Sequence, residues 1–105
     1  MDEEFLEYYN KGLKFSENNF FKADYVVPID KKDKFFALGY SHNTKIPFRD
    51  IILDKENQIL KYSFVKSIIK NKTVILVTIK IIDEHLKLLN KMKKYTQNII
   101  LVSLY

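Results

Sequence analysis

His42 lies in the run SHNTK, residues 41–45, with Arg49 and Asp50 following closely. A ribonuclease that works without a metal needs one group to move a proton and cations to hold a pentavalent phosphate. His42 with Lys45 and Arg49 would supply both. The plainer reading is an exposed loop histidine beside ordinary surface charges, since residues at no fixed spacing carry little specificity. The other histidine, His85, falls on the apolar arc of a predicted helix. That position predicts a core histidine held by hydrogen bonds rather than a catalytic one.

The carboxylates form no cluster in sequence. Asp50, Asp54 and Glu56 would suit a hard cation only if a strand residue and two turn residues converged. Turn acids ordinarily serve local backbone hydrogen bonding instead. Asp30-Lys31-Lys32 resembles the D-x-K element of some nucleases but has no convincing upstream carboxylate. Two isolated histidines and no cysteine give no transition-metal ligand set. With Gly12 and Gly39 the only glycines, neither a phosphate loop nor a dinucleotide fingerprint can be built. The expectation is therefore no cofactor and no metal.

Two patterns point to partners instead. Lys87, Lys91 and Lys94 recur at i, i+4 and i+7 and could neutralise successive phosphates or face an acidic protein surface. The same stripe is also what a solvated helix face looks like. Arginine occurs once, as Arg49, which counts against base-specific readout by bidentate guanidinium groups. The aromatic doublets Tyr8-Tyr9, Phe20-Phe21 and Phe35-Phe36 are the second pattern. Adjacent residues of a strand point to opposite faces, so Phe35 and Phe36 cannot share one side, and either both faces are covered or one ring is free to anchor a partner.

The elements that must position these residues follow from periodicity. Residues 2–15 read as an amphipathic helix, with Phe5, Leu6, Tyr9 and Leu13 on one arc and acids ahead of lysines along its length. Residues 22–27, 34–40 and 46–53 read as strands. A polar turn at 54–57 then suggests a hairpin, and 58–69 reads as a further strand, although Leu60, Phe64 and Ile68 also fit a helix face. Residues 73–82, TVILVTIKII, are rich in β-branched residues and apolar on both faces, as an interior strand would be. Asp83 is a plausible N-cap for a helix over 84–95. IILVSLY closes the chain as a strand, so the last three elements form a right-handed crossover between parallel neighbours.

A chain of 105 residues is one domain, 1–105, large enough for a modest core. No stretch is long and apolar enough to span a membrane, and the acidic start, MDEEFLEYYN, lacks a leader's basic and apolar regions. A cytoplasmic protein is expected. Lysine, isoleucine, asparagine and the aromatics have AT-rich codons, as in low-GC bacteria and their phages, which discounts net charge as a functional signal. Its distribution says more. Residues 1–30 carry seven acids and three lysines, whereas residues 61–105 carry nine lysines and two acids.

Together these features predict an α+β domain: an N-terminal helix, a mainly antiparallel sheet of about five strands, a second helix and a C-terminal strand. The first functional expectation is a small non-enzymatic interaction or inhibitor protein, of the kind phages and mobile elements encode. It would bind another protein, such as a nucleic-acid enzyme of a host, as an immunity protein or antagonist does. The alternatives are a basic domain that binds or cleaves RNA and a homodimeric structural module.

Overall fold

In a computed structural model, which describes residues 3–51, 67–94, 96 and 98–105, the chain is an α/β structure around a parallel sheet. Helix α1 spans Glu3–Asn18, strand β1 Tyr25–Pro28 and helix α2 Lys34–Thr44, the last entered through a single 3-10 turn at Lys31–Asp33. Strand β2 spans Val74–Thr78, helix α3 Asp83–Met92 and strand β3 Ile99–Ser103. The sheet order is β1-β2-β3, and both pairings are parallel. Tyr25 stands beside Val74, and Val74 beside Ile99, so the strands begin level with one another.

This corrects the mainly antiparallel, five-stranded α+β expectation. The decisive misreading was residues 34–40. KFFALGY suggests alternation, but Phe36, Ala37 and Tyr40, all 0% exposed, lie at i, i+1 and i+4 and form one helical face. No β-branched residue occurs from Lys34 to Asn43, and such residues are what favour strand over helix in an apolar run. Of the expected strand at 46–53, the described residues 46–51 form only an isolated bridge, Val26 with Phe48. The bridge is parallel, with Val26 N–H donating to Pro47 O at 2.8 Å and Arg49 N–H to Val26 O at 2.9 Å. The expected turn at 54–57 and most of the expected strand at 58–69 lie outside the described residues. Residues 67–69 are helical.

The reading of residues 73–82 as an interior strand corresponds to β2, which is shorter, central and buried at every position. Side-chain alternation along it divides the core in two. Ile75, Val77 and Ile79 join Val26, Phe36, Ala37 and Tyr40 beneath α2, with Tyr8 and Phe15 of α1 packed on the margin. On the other face Val74 and Leu76 join Val27, Ile69, Leu88 and Met92 beneath α3. A strand apolar on both sides thus makes the middle layer of a three-layer stack, as parallel sheets require.

Helices α1 and α2 cross closely enough to need both glycines of the chain. A Cβ on Gly12 would lie 2.2 Å from Phe36 O, and one on Gly39 would lie 2.0 Å from Tyr9 O. The N-terminal helix therefore rests mainly on α2 and secondarily on the sheet.

Candidate functional site

In an open parallel sheet, ligands bind beyond the carboxyl ends of the strands, where loops and helix N-termini gather. Here that crest is formed by residues 29–33 after β1, residues 79–85 after β2 and residues 104–105 after β3. It is closed by its own hydrogen bonds. Ile29 N–H donates to Val77 O at 3.1 Å, Leu104 N–H to Thr78 O at 3.2 Å and Tyr105 N–H to Ile79 O at 3.0 Å.

Asp33 is the keystone. Its side chain is 0% exposed, Oδ1 accepts from Ile79 N–H at 2.8 Å, and Oδ2 accepts from Asp30 N–H at 2.9 Å. The second bond is half of a capping box, in which a carboxylate in the first turn reaches back to the residue that starts the turn. The first ties the loop after β1 to the end of β2. Burial pushes the Asp33 carboxyl above its ordinary range, while the two backbone N–H bonds pull the other way.

His85 makes a second tie. It is 4% exposed in the first turn of α3, with Nε2 2.8 Å from Asp30 Oδ2. Its Nδ1 accepts from Ile82 N–H at 3.3 Å. An Nδ1 that accepts leaves the proton on Nε2, so the ring donates to the Asp30 carboxylate. Asp30 itself keeps 28% of its side chain in solvent.

Asp30, Asp33 and His85 offer three ligand atoms within 4.8 Å of one another, and the hydrogen bonds decide what the trio can do. A ligating histidine presents one bare nitrogen to the metal and donates its other N–H to an oxygen. Here the second nitrogen faces a donor, so Nε2 must carry the proton that a metal would have to displace. The geometry is that of a polar clamp joining three segments.

Some of the crest's N–H groups are already taken, and its charge is partly acidic. A helix N-terminus attracts an anion through free N–H groups and its dipole. Here Asp33 already takes the N–H groups of Asp30 and Ile79, and α3 begins with Asp83 and Glu84. Ile81 and Ile82, 40% and 45% exposed, occupy the loop between β2 and α3.

The residues singled out from sequence are placed as follows. His42 is in the last turn of α2 with Nδ1 2.6 Å from the Tyr9 hydroxyl. Lys45 follows as the left-handed cap of that helix, φ 64°. Arg49 lies with its guanidinium 5.2 Å from the centre of the Tyr25 ring, which packs against the cluster on the sheet face away from α2. The structure thus gives His42 and Arg49 separate partners on opposite sides of the sheet. Asp50 pairs with Lys34 at 3.1 Å, while Asp54 and Glu56 lie outside the described residues.

Of the four phenylalanines, Phe36 is fully buried, and Phe35 is half-buried with its ring 4.4 Å from that of Phe5. Phe20 and Phe21, in the connection between α1 and β1, are 60% and 39% exposed. Lys87, Lys91 and Lys94 are all exposed on or just beyond α3. Sequence reasoning singled out Asp30 only as the acid of Asp30-Lys31-Lys32 and missed Asp33. The signal was there in D-x-x-D ahead of an apolar helical face, a capping-box spacing.

No family model matches the chain, and no curated protein matches it in sequence. The fold, however, is shared with solved structures. One, described as the allosteric regulatory enzyme of purine biosynthesis, superposes with a TM-score of 0.75 at 14% identity over 94% of this chain. Another, glutamine phosphoribosylpyrophosphate (PRPP) amidotransferase from B. subtilis complexed with ADP and GMP, gives 0.74 at 15% identity, again over 94%. This chain spans about a quarter of the length of each, 25% and 26%. At such identities the likeness establishes an α/β architecture resembling part of those enzymes. Among the described residues no helix is long and apolar enough to cross a membrane.

Proposed function

We propose that this chain is a non-enzymatic interaction domain that carries the scaffold of a nucleotide-handling enzyme and acts by binding another protein, as an inhibitor or immunity protein does. The observation that carries this reading is the crest. The N–H groups of Asp30, Ile79 and Ile82, all on the crest beyond the carboxyl ends of the strands, are bonded to Asp33 and His85. A phosphoribosyl or nucleotide ligand seated on those N–H groups would have to break the bonds and lie close to Asp30, Asp83 and Glu84, at a cost in both desolvation and charge repulsion. Binding of protein is supported by Phe20 and Phe21. Exposed aromatic pairs are costly in water and are characteristic anchors of interfaces.

Calorimetric titration of the purified chain with PRPP, ADP and GMP tests the reading. We expect no saturable heat for any of the three. Binding of any one of them in the micromolar range would place a working ligand site on this chain and overturn the proposal.

A further inference from the structure

Among the described residues β3 is an edge strand of the sheet, and its chemistry is unusual for an edge. In a parallel ladder, alternate residues of a strand turn both N–H and C=O to one neighbour. Val74 N–H bonds Asn98 O at 2.8 Å and Leu104 N–H bonds Thr78 O at 3.2 Å, so the even-numbered residues of β3 face β2. Ile99, Leu101 and Ser103 therefore turn their backbone groups outward, and among the described residues no strand pairs with them. Protein sheets ordinarily guard such an edge with lysine, proline or a bulge. Residues 98–105, NIILVSLY, contain no charge and no proline.

The helix above the edge is equally permissive. At 100° per residue Leu86 and Leu89 share one flank of α3. Leu86 is 44% exposed, and Leu89 packs into the same cluster as Ile99 and Leu101. In the right-handed crossover that joins consecutive parallel strands, this flank is the one turned toward the outer side of β3.

We infer that β3 is a homodimer edge, pairing antiparallel with β3 of a second copy about a twofold axis at Leu101. That register sets Leu101 against its own copy and Ile99 against Ser103, the three residues whose backbone groups point outward. Strands about 4.8 Å apart, each beneath a helix lying over β2 and β3, bring the two α3 helices to roughly the 8–10 Å at which helices pack. Their flanks meet as Leu86 and Leu89 against the same residues. The helices run antiparallel, so Lys93, which the same spacing puts on the flank of Leu86 and Leu89, approaches the acidic start of the other helix at Asp83. This charge complementarity, with the uncharged seam, selects a second copy over a foreign strand. The inference does not depend on the proposed function.

The test combines sedimentation equilibrium with amide exchange on the full chain. We expect a concentration-dependent dimer in which the amides of Ile99, Leu101 and Ser103 gain protection as dimer forms. Those of Ile100 and Val102, bonded to β2, are protected throughout. Leu86→Lys, at an exposed site, should keep the monomer fold and weaken the dimer at least about tenfold by setting like charges across the axis. A chain that stays monomeric to about 1 mM overturns the inference, by the affinity scale on which such a constant is weaker than specific association requires. So does a dimer whose Ile99, Leu101 and Ser103 amides exchange as in the monomer, or one that Leu86→Lys leaves intact.

Discussion

Gly12 and Gly39, the only glycines in the chain, lie at the same crossing, each with its Cα against the backbone of the other's helix. Glycine inside a helix normally costs about 1 kcal/mol relative to alanine. Here the sign reverses, because an alanine Cβ would stand 2.2 Å from Phe36 O at position 12 and 2.0 Å from Tyr9 O at position 39. Neither neighbour is the free end of a side chain, so the helices must separate. Gly12→Ala and Gly39→Ala should each destabilise the fold by about 1–3 kcal/mol or more in denaturant unfolding. An unchanged or raised midpoint for either variant would show that α1 does not rest on α2 in this way.

Asp33 gives a pH signature opposite to that of an ordinary salt-bridged carboxylate. Burial holds its carboxyl above the ordinary value of 3.8, so between that value and the raised one the folded chain binds more protons than the unfolded chain. Its contribution to stability therefore grows as pH falls through the raised value and levels off below 3.8. Asp33→Ala should destabilise the protein at neutral pH, because the N–H groups of Asp30 and Ile79 lose their acceptor, at about 1–3 kcal/mol for each one left buried. The stability gap between wild type and this variant should then widen on acidification from pH 7 toward pH 4. A gap that narrows over that range would show an Asp33 carboxyl stabilised in its ionised form.

Phe20 and Phe36 should separate binding from folding. Phe36 is 0% exposed on the inner face of α2, and Phe36→Ala should cost about 3–5 kcal/mol of stability. Phe20 is 60% exposed, and Phe20→Ala should leave the melting temperature within error while removing about 2 kcal/mol of affinity for the proposed protein partner. A Phe20→Ala variant that unfolds, or one that binds the partner unchanged, would remove this residue as the anchor.

The elements with strong periodicity were legible in the sequence. The first helix, the interior strand at β2 and the strand-helix-strand run that closes the chain all follow from apolar spacing. The sheet's direction did not follow, because it turned on residues 34–44. An aromatic run with a glycine in it reads as strand when the reason for the glycine, contact with another helix 27 residues earlier, is invisible. Once α2 is a helix, β1 must cross over it to reach a parallel neighbour, and the antiparallel meander disappears. At the crest, His85 was recognisable as a core histidine from its place on the apolar arc. Its partner Asp30 is 55 residues away, and only the folded sheet brings them together. Similarly, His42, Lys45 and Arg49 are close in sequence, yet α2 ends between them and the chain turns back along β1, giving His42 and Arg49 different partners.

The crest's N–H groups at Asp30, Ile79 and Ile82 are held by Asp33 and His85, and His85 reports on them most directly. Nitrogen-15 NMR of the imidazole distinguishes which ring nitrogen carries the proton. The expected state is an Nε2–H tautomer with a slowly exchanging proton held by Asp30. Its signals should not move when PRPP, ADP, GMP, magnesium or zinc is added at millimolar concentration. An Nδ1–H tautomer, or a saturable shift of the Nε2 signal with any of those additions, would mean that the clamp of Asp30, Asp33 and His85 is instead an open ligand site.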